Sequence, residues 1–192
     1  MRELPTINEP VSVLDLSPEE VEILFGPDMW LGTYVERVTG RSMIVWPGEC
    51  HVHAGIRPDD IRAQREAHPG AEFLVHPECG CVTQVMEFVA AGEVEAEGVH
   101  MLSTGQMLDY VRKRPDGEYI VATENGMLHP LHKAAPNARL TPVNPKAVCK
   151  YMKMITLPKL RDSLRERKHE VKVPAEIAER ARIPIERMVA IG

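Results

Sequence analysis

Two similar stretches decide the fold of this chain: MIVWPGECHVH at 43–53 and FLVHPECGC at 73–81. Each begins with an apolar run of the length and composition of a buried strand in a parallel sheet. Each run is followed by soft or ionisable side chains, Cys50 with two histidines in the first and His76 with Glu78 in the second. In open α/β sheets, ligands bind beyond the carboxyl ends of the strands. The two stretches therefore predict a metal site or an acid–base site at that edge.

The composition is that of a globular protein with a substantial core. The chain has 192 residues, 44% of them hydrophobic, and a formal net charge of −5, which argues against a general nucleic-acid binder. No segment approaches the roughly 20 apolar residues of a membrane span, and the first residues lack the pattern of a secretory signal. We therefore expect a cytoplasmic protein with no membrane partner. In that compartment its four cysteines are expected to be metal-binding, catalytic or reduced rather than paired in disulfides.

Strand and helix patterns alternate along most of the chain, which implies parallel strands with right-handed crossovers. The predicted fold class is α/β, made of repeated small parallel-sheet α/β/α units. Strands are expected at 21–25, 43–46, 71–75, 99–102, 118–122 and 139–143, and helices at 31–38, 58–67, 83–91, 107–112 and 127–134. The expected parts are a divergent arm at 1–20 with a helix start at 17–20, a partial α/β unit at 21–53, an α/β unit at 54–150 and C-terminal helices at 151–192. Within the last part we predict helices at 150–164, 174–182 and 184–191, the last two with prolines at their first positions.

The side chains after the first two strand ends each allow a functional and a structural interpretation. Cys50 with His53 is either a thiolate metal site or a buried cysteine beside an exposed loop. His76 and Glu78 could exchange protons, since both titrate near neutral pH when perturbed, or they belong to a turn in which Pro77 restricts His76. The C-x-C pair at 79–81 has too little spacing specificity to identify a metal site.

Later strand ends carry weaker signals of the same kind. Ser103-Thr104-Gly105, between a strand and a helix, is typical either of an anion site or of a plain N-cap. The run Thr123-Glu124-Asn125-Gly126 allows the same two interpretations. Cys149 is expected at the start of a helix, where the helix terminus and nearby lysines would favour its thiolate, or else as a core cysteine.

Taken together and in order, these runs resemble the quinolinate synthase family. The resemblance covers the chain from about residue 21 to the end, and the ordered set is specific although no single motif is. The residues that carry it are Pro27-Asp28, Leu31-Gly32, Tyr34-Val35, Trp46-Pro47-Gly48-Glu49-Cys50-His51-Val52-His53, His76-Pro77-Glu78-Cys79, Ser103-Thr104-Gly105-Gln106-Met107, Ala122-Thr123-Glu124-Asn125-Gly126-Met127, Cys149-Lys150-Tyr151-Met152-Lys153 and Pro184-Ile185-Glu186-Arg187-Met188.

The resemblance implies an enzyme of NAD biosynthesis that condenses iminoaspartate with dihydroxyacetone phosphate to quinolinate. It also implies a 4Fe-4S cluster held by three cysteines from three similar units, with one iron open to substrate as a Lewis acid. Cys50 and Cys149 match two of these ligands, whereas Cys79 and Cys81 match none. Active-site positions are matched by His53, His76 and Glu78, which would act in catalysis and substrate binding, and by Ser103 and Thr104, which would contact the phosphate.

The chain departs from the family at its beginning. The family's first unit, with the third ligand cysteine, should precede Phe25, and only about two dozen residues without a cysteine stand there. We therefore expect a carboxyl-terminal piece of the enzyme that has little activity and self-associates by itself. The third ligand would then come from a missing N-terminal segment or from a homodimer that shares ligands.

Two other functions fit the same residues. One is a non-catalytic truncated paralogue that binds a phosphorylated metabolite or a partner chain. The other is a mononuclear zinc hydrolase that uses Cys50, His53 and His76, although its ligands would be less compact than a catalytic zinc site usually requires.

Overall fold

The structure, a computed structural model, describes residues 22–80 and 98–190. The described residues form two compact units, 22–80 with 98–148 and then 149–190. Three predictions lie outside the described residues: the arm at 1–20 with its helix start, the helix at 83–91, and the placement of Cys81.

All six predicted strands are present in the first unit, and every pairing is parallel. A two-stranded sheet pairs β1 with β2, and a four-stranded sheet has the order β4-β3-β5-β6. The bounds are β1 Leu24–Phe25, β2 Ile44–Val45, β3 Glu72–Val75, β4 Val99–Met101, β5 Glu118–Ala122 and β6 Arg139–Pro142. The predicted α/β class is confirmed, with Val75 beside Ala122 at the carboxyl edge of the larger sheet.

Four α-helices connect these strands within the described part of the first unit. They are α1 Met29–Thr39, α2 Pro58–Ala67, α3 Thr104–Lys113 and α4 Leu128–Ala134, the last preceded by a 3₁₀ turn at Asn125–Met127. The first helix begins where the Asp28 side chain accepts the N–H of Leu31, and it ends at Gly40, whose φ of 70° suits a residue without a Cβ atom. Each helix therefore starts within a few residues of the position expected from sequence.

The core of the first unit lies between the four-stranded sheet and helices α3 and α4. Leu74, Tyr119 and Val121 from the sheet pack with Met107 and Val111 of α3 and with Leu131 of α4, and all six are at most 2% exposed. Burying one large apolar side chain contributes roughly 1.5–3 kcal/mol. This core fixes β3 and β5, the two strands that deliver His76 and Thr123.

The second unit is helical and corrects three of the predictions. It contains a 3₁₀ turn at Met152–Met154 and helices α5 Leu157–Glu166 and α6 Ala175–Val189. The two predicted helices at 174–182 and 184–191 are one helix that contains Pro184, because a proline removes one hydrogen bond without obliging the chain to stop.

The helix predicted at 150–164 begins only at Leu157, because the Thr156 side chain caps it through the N–H of Lys159. Cys149 therefore precedes a 3₁₀ turn and is not at the start of an α-helix. None of the residues at 149–190 is buried. Among the described helices of both units, none is long and apolar enough to cross a membrane.

Candidate active site

Three of the predicted site residues, His53, His76 and Glu78, lie together beyond the carboxyl ends of β2 and β3. One ligand atom from each lies within 4.8 Å of the others. The Oε2 atom of Glu78 is 3.4 Å from Nδ1 of His53 and 3.9 Å from Nδ1 of His76. The two imidazole rings stack with their centroids 4.7 Å apart and their planes 3° from parallel. The site thus combines one carboxylate with two imidazoles.

Backbone hydrogen bonds hold the two loops in register. The N–H of His76 donates to the carbonyl of Ala122 at 3.0 Å, which continues the pairing of β3 with β5 by one residue. The N–H of Gly80 donates to the carbonyl of His53 at 3.3 Å, and this bond joins the loop after β3 to the loop after β2. The N–H of Glu78 donates to Nδ1 of His76 at 3.3 Å. A neutral His76 therefore carries its proton on Nε2.

The environment shifts all three groups toward their neutral forms. Burial lowers the pKa of His76 to about 4, and the neighbouring His53 acts in the same sense. Burial also lowers the pKa of His53, although the negative charges of Asp28 and Glu124 oppose this. The pKa of Glu78 is raised, first by burial and then by Asp28. A carboxyl group with a raised pKa beside neutral imidazoles is suited to proton transfer near neutral pH.

One buried atom at this site has no hydrogen bond within the described part of the chain. It is Nδ1 of His53, because Glu78 Oε2 lies within ion-pair distance but not in hydrogen-bonding geometry. An unsatisfied polar atom inside a protein is costly. The arrangement is therefore that of a site which a bound ligand would complete.

A small cavity of about 150 Å³ adjoins this cluster. It is lined by Pro27, Asp28, Glu49, Cys50 and Glu78. The Cys50 thiol is outside any disulfide and is half-buried. Asp28 is 3% exposed and accepts the backbone N–H of Cys50 through Oδ2 at 3.2 Å. The cavity thus presents a soft sulfur ligand beside two buried or half-buried carboxylates.

Thr123 and Glu124 complete the site from the end of β5. The Thr123 hydroxyl is 3.0 Å from Nε2 of His53, and the contact is buried. Glu124 is 9% exposed and accepts the N–H of Gly126, which caps the following 3₁₀ turn. The sequence pattern at 123–126 predicted an anion site or a cap. It did not predict the contact of Thr123 with His53. Of the sequence signals, only the family resemblance included Asp28, although its place before a helix is a typical cap signal.

Similarity to known proteins identifies the family of the chain. A family model described as "Quinolinate synthetase A protein" matches residues 6–190. The chain belongs to this family. It is 50% identical over 182 residues to a quinolinate synthase of Thermus thermophilus, an alignment that covers 95% of the chain and 56% of the relative. Quinolinate synthases of Mycobacterium sp. (strain KMS) and Mycobacterium tuberculosis are 47% and 48% identical over 188 and 181 residues, covering 97% and 94% of the chain but 56% and 52% of the relatives. The chain thus spans about half the length of these curated relatives.

Ser103 and Thr104 are exposed at the amino terminus of α3. Ser103 forms a capping box with Gln106, in which each side chain accepts the other residue's backbone N–H. The N-cap interpretation is therefore realised at Ser103. Contact of this pair with a phosphate stays a prediction.

The cysteines of the chain differ in their surroundings. Cys50 and Cys149 are both free cysteines and half-buried, and they belong to different units. Their shared ligation of a cluster stays a prediction. Cys79 is fully buried and disulfide-bonded. Its thiol is therefore occupied, which contradicts the expectation that the cysteines stay out of disulfides.

Proposed function

We propose that this chain forms part of a quinolinate synthase, which condenses iminoaspartate with dihydroxyacetone phosphate to quinolinate in NAD biosynthesis. The membership of the family supports the proposal, and one structural observation carries it. Glu78, whose pKa is raised, lies between two histidines whose pKa values are lowered, next to a cavity with the Cys50 thiol. We further propose that the protein acts in the cytoplasm.

The residues present fit an iron–sulfur cluster. Cys50 would supply a thiolate from the cavity that it lines with Asp28 and Glu78, and Cys149 would supply a second thiolate. We assign both as cluster ligands. When bound, a 4Fe-4S cluster would supply a Lewis acid that eases the loss of water from the substrates. The third thiolate would come from a further polypeptide segment or from a second copy of the chain.

The side chains of this chain perform the proton transfers. Glu78 takes a proton from one position of the substrate and returns it at another, since its raised pKa makes it a stronger base than an ordinary carboxylate. His76 donates its Nε2 proton to a substrate oxygen, because its Nδ1 accepts the N–H of Glu78. His53, stacked on His76, helps to bind the substrate. Ser103 and Thr104 hold the phosphate of dihydroxyacetone phosphate until it leaves.

The proposal is tested by anaerobic reconstitution with iron and sulfide, followed by metal and sulfide counting and a quinolinate assay. The assay is run on the chain alone and on the chain mixed with the segment of the Thermus thermophilus relative that it does not cover. We expect turnover in the mixture and little or none from the chain alone. Absence of bound iron and of turnover in both samples would overturn the proposal.

Two variants locate the chemistry at the described site. Glu78→Gln removes the proton acceptor and is expected to lower kcat by roughly 10²- to 10⁴-fold. Glu66→Gln, an exposed glutamate on α2, is the matched control and should leave kcat unchanged. Zinc is counted in the same samples, because His53, His76 and Glu78 place three donor atoms close together. Stoichiometric zinc without sulfide would favour the hydrolase hypothesis instead.

A further inference from the structure

Thr123 makes a contact that the proposed chemistry does not yet use. It follows β5 directly, and β5 pairs with β3 so that Ala122 accepts the N–H of His76. Thr123 is 3% exposed, and its Oγ1 lies 3.0 Å from Nε2 of His53, 70 positions away in sequence. The strand that aligns His76 therefore also delivers a hydroxyl to the second histidine.

This contact bears on which nitrogen of His53 carries the proton. A neutral imidazole has one N–H, and the partner of one nitrogen decides the state of the other. Nδ1 of His53 faces Oε2 of Glu78 at 3.4 Å. If the Thr123 hydroxyl accepted from Nε2–H, the Nδ1 lone pair would face a carboxylate, and the two would repel. If the hydroxyl donates to Nε2, Nδ1–H faces that carboxylate, which is favourable.

We propose that Thr123 is a positioning residue that donates its hydroxyl proton to Nε2 of His53 and so holds this histidine as the Nδ1–H tautomer directed toward Glu78. The inference rests on the proposed function and deepens it. In the unliganded site it directs the Nδ1–H of His53 toward Oε2 of Glu78, which lies 3.4 Å away but outside hydrogen-bonding geometry. Glu78 is then the base of the first proton transfer, and His53 stabilises its charged form.

The test is the tautomer of His53 in the 192-residue chain. Long-range ¹H–¹⁵N spectra of protein labelled at histidine distinguish protonated from unprotonated ring nitrogens at a pH where the rings are neutral. The His53→Gln variant identifies the signals of this ring among the eight histidines. We expect a protonated Nδ1 and an unprotonated Nε2 in the wild type. A protonated Nε2 in the wild type would overturn the proposal.

Two substitutions of Thr123 separate the hydroxyl from the shape of the side chain. Thr123→Val keeps the shape and removes the hydroxyl, so the His53 signals should shift toward the Nε2–H form or a mixture of both. Thr123→Ser keeps the hydroxyl and should restore the wild-type signals. Signals in Thr123→Val identical to the wild type would contradict the proposal, and if this variant fails to fold, the wild-type and Thr123→Ser spectra still decide it.

Kinetics provide a second readout that depends on the proposed function. In reconstituted active enzyme, Thr123→Val should lower kcat by roughly ten- to a hundredfold, since a misdirected donor no longer supports Glu78. Thr123→Ser should recover most of that loss. The spectra need no turnover, so a failure of the quinolinate assay leaves the tautomer test intact, and the two failures are distinguishable.

Discussion

Oδ2 of Asp28 accepts the backbone N–H of Cys50 at 3.2 Å, while Oδ1 of the same carboxylate accepts the N–H of Leu31 at 2.8 Å. One buried side chain therefore starts α1 and fixes the loop that carries the Cys50 thiol. Because Asp28 also lines the cavity with Glu78, its charge contributes to the raised pKa of that carboxyl group. The helix start, the cysteine loop and the charge of the site are thus coupled through one residue.

Replacing Asp28 separates these roles. Asp28→Asn keeps an oxygen for the helix cap but replaces the second acceptor by an amide nitrogen, so we expect a loss of about 1 kcal/mol in the free energy of unfolding. Asp28→Ala loses both bonds and should lose about 2–3 kcal/mol. Chemical denaturation measures both values, and a wild-type value for Asp28→Asn would show that the Cys50 bond contributes nothing.

The reactivity of the thiol reports on the same bond. In a Cys149→Ser background, Asp28→Asn should speed the alkylation of Cys50, because the loop is released and a nearby negative charge is removed. Asp109→Asn changes an exposed carboxylate on α3 and is the control, which should alkylate at the unchanged rate. An unaltered rate in Asp28→Asn would rule out control of Cys50 by this carboxylate.

Gly48 allows the loop that carries Cys50 to approach the start of α1 closely. A Cβ atom there would lie 2.3 Å from the carbonyl oxygen of Pro27, and the Gly48 carbonyl accepts the N–H of Met29 at 2.8 Å. Gly48→Ala should therefore push the Cys50 loop away and cost about 1–3 kcal/mol in the free energy of unfolding. Gly105→Ala, on α3 with open space around its Cβ position, should instead be neutral or stabilise by up to about 1 kcal/mol. Equal thermal midpoints for the two variants would contradict this expectation.

The sequence was sufficient to predict the strands. It was also sufficient to predict the edge of the sheet at which the polar residues meet. Apolar runs such as Phe73–Val75 have a length and composition that few other structures accommodate, and the residues after them reach the same edge as a matter of parallel topology. His53, His76 and Glu78 could be placed together on that basis. Their shifted pKa values could not, since these depend on burial by segments distant in sequence.

Two features could not be predicted from local sequence patterns, and each has a physical reason. The contact of Thr123 with His53 depends on the pairing of β3 with β5 and on the loop from β2, and no periodicity records such a contact. The path of the second unit depends on competing local signals. Thr156 supplies a cap that delays α5, and Pro184 is tolerated inside α6, so prolines and helix periodicity alone set the wrong boundaries.

The apolar stripe of α5 is expected to drive association. Leu157, Leu160 and Leu164 follow the i, i+3, i+7 spacing of one helix face and are 81%, 48% and 75% exposed. Replacing Leu157 and Leu164 by Gln should change the free energy of unfolding by no more than about 0.5 kcal/mol and should shift the sedimentation profile toward the monomer.

A substitution in the core is the control for the double Gln variant of Leu157 and Leu164. Leu74→Ala removes a fully buried side chain and should cost about 2–5 kcal/mol without promoting the monomer. Sedimentation of the double Gln variant identical to the wild type would show that this stripe is not the associating surface.

The half-buried His76 makes stability depend on pH. The pKa of His76 falls from its ordinary value of 6.5 to about 4, chiefly through burial and then through His53. Between these two values the unfolded chain binds a proton that the folded chain does not, so the free energy of unfolding falls as pH falls from about 6.5 toward 4. At about 1.4 kcal/mol per pKa unit, the full contribution is at most about 3.5 kcal/mol. Glu78, with a raised pKa, opposes this trend below neutral pH.

Denaturation of wild type and His76→Gln at a series of pH values isolates the contribution of this histidine. The same pair is measured again in a Glu78→Gln background, which removes the opposing carboxyl group. We expect a shallower pH dependence in His76→Gln than in its parent, whether or not the glutamate is present, because the variant has no imidazole that the unfolded chain alone can protonate. Parallel curves for the wild type and His76→Gln would mean that folding leaves the pKa of His76 unchanged, and burial would then not hold this imidazole neutral.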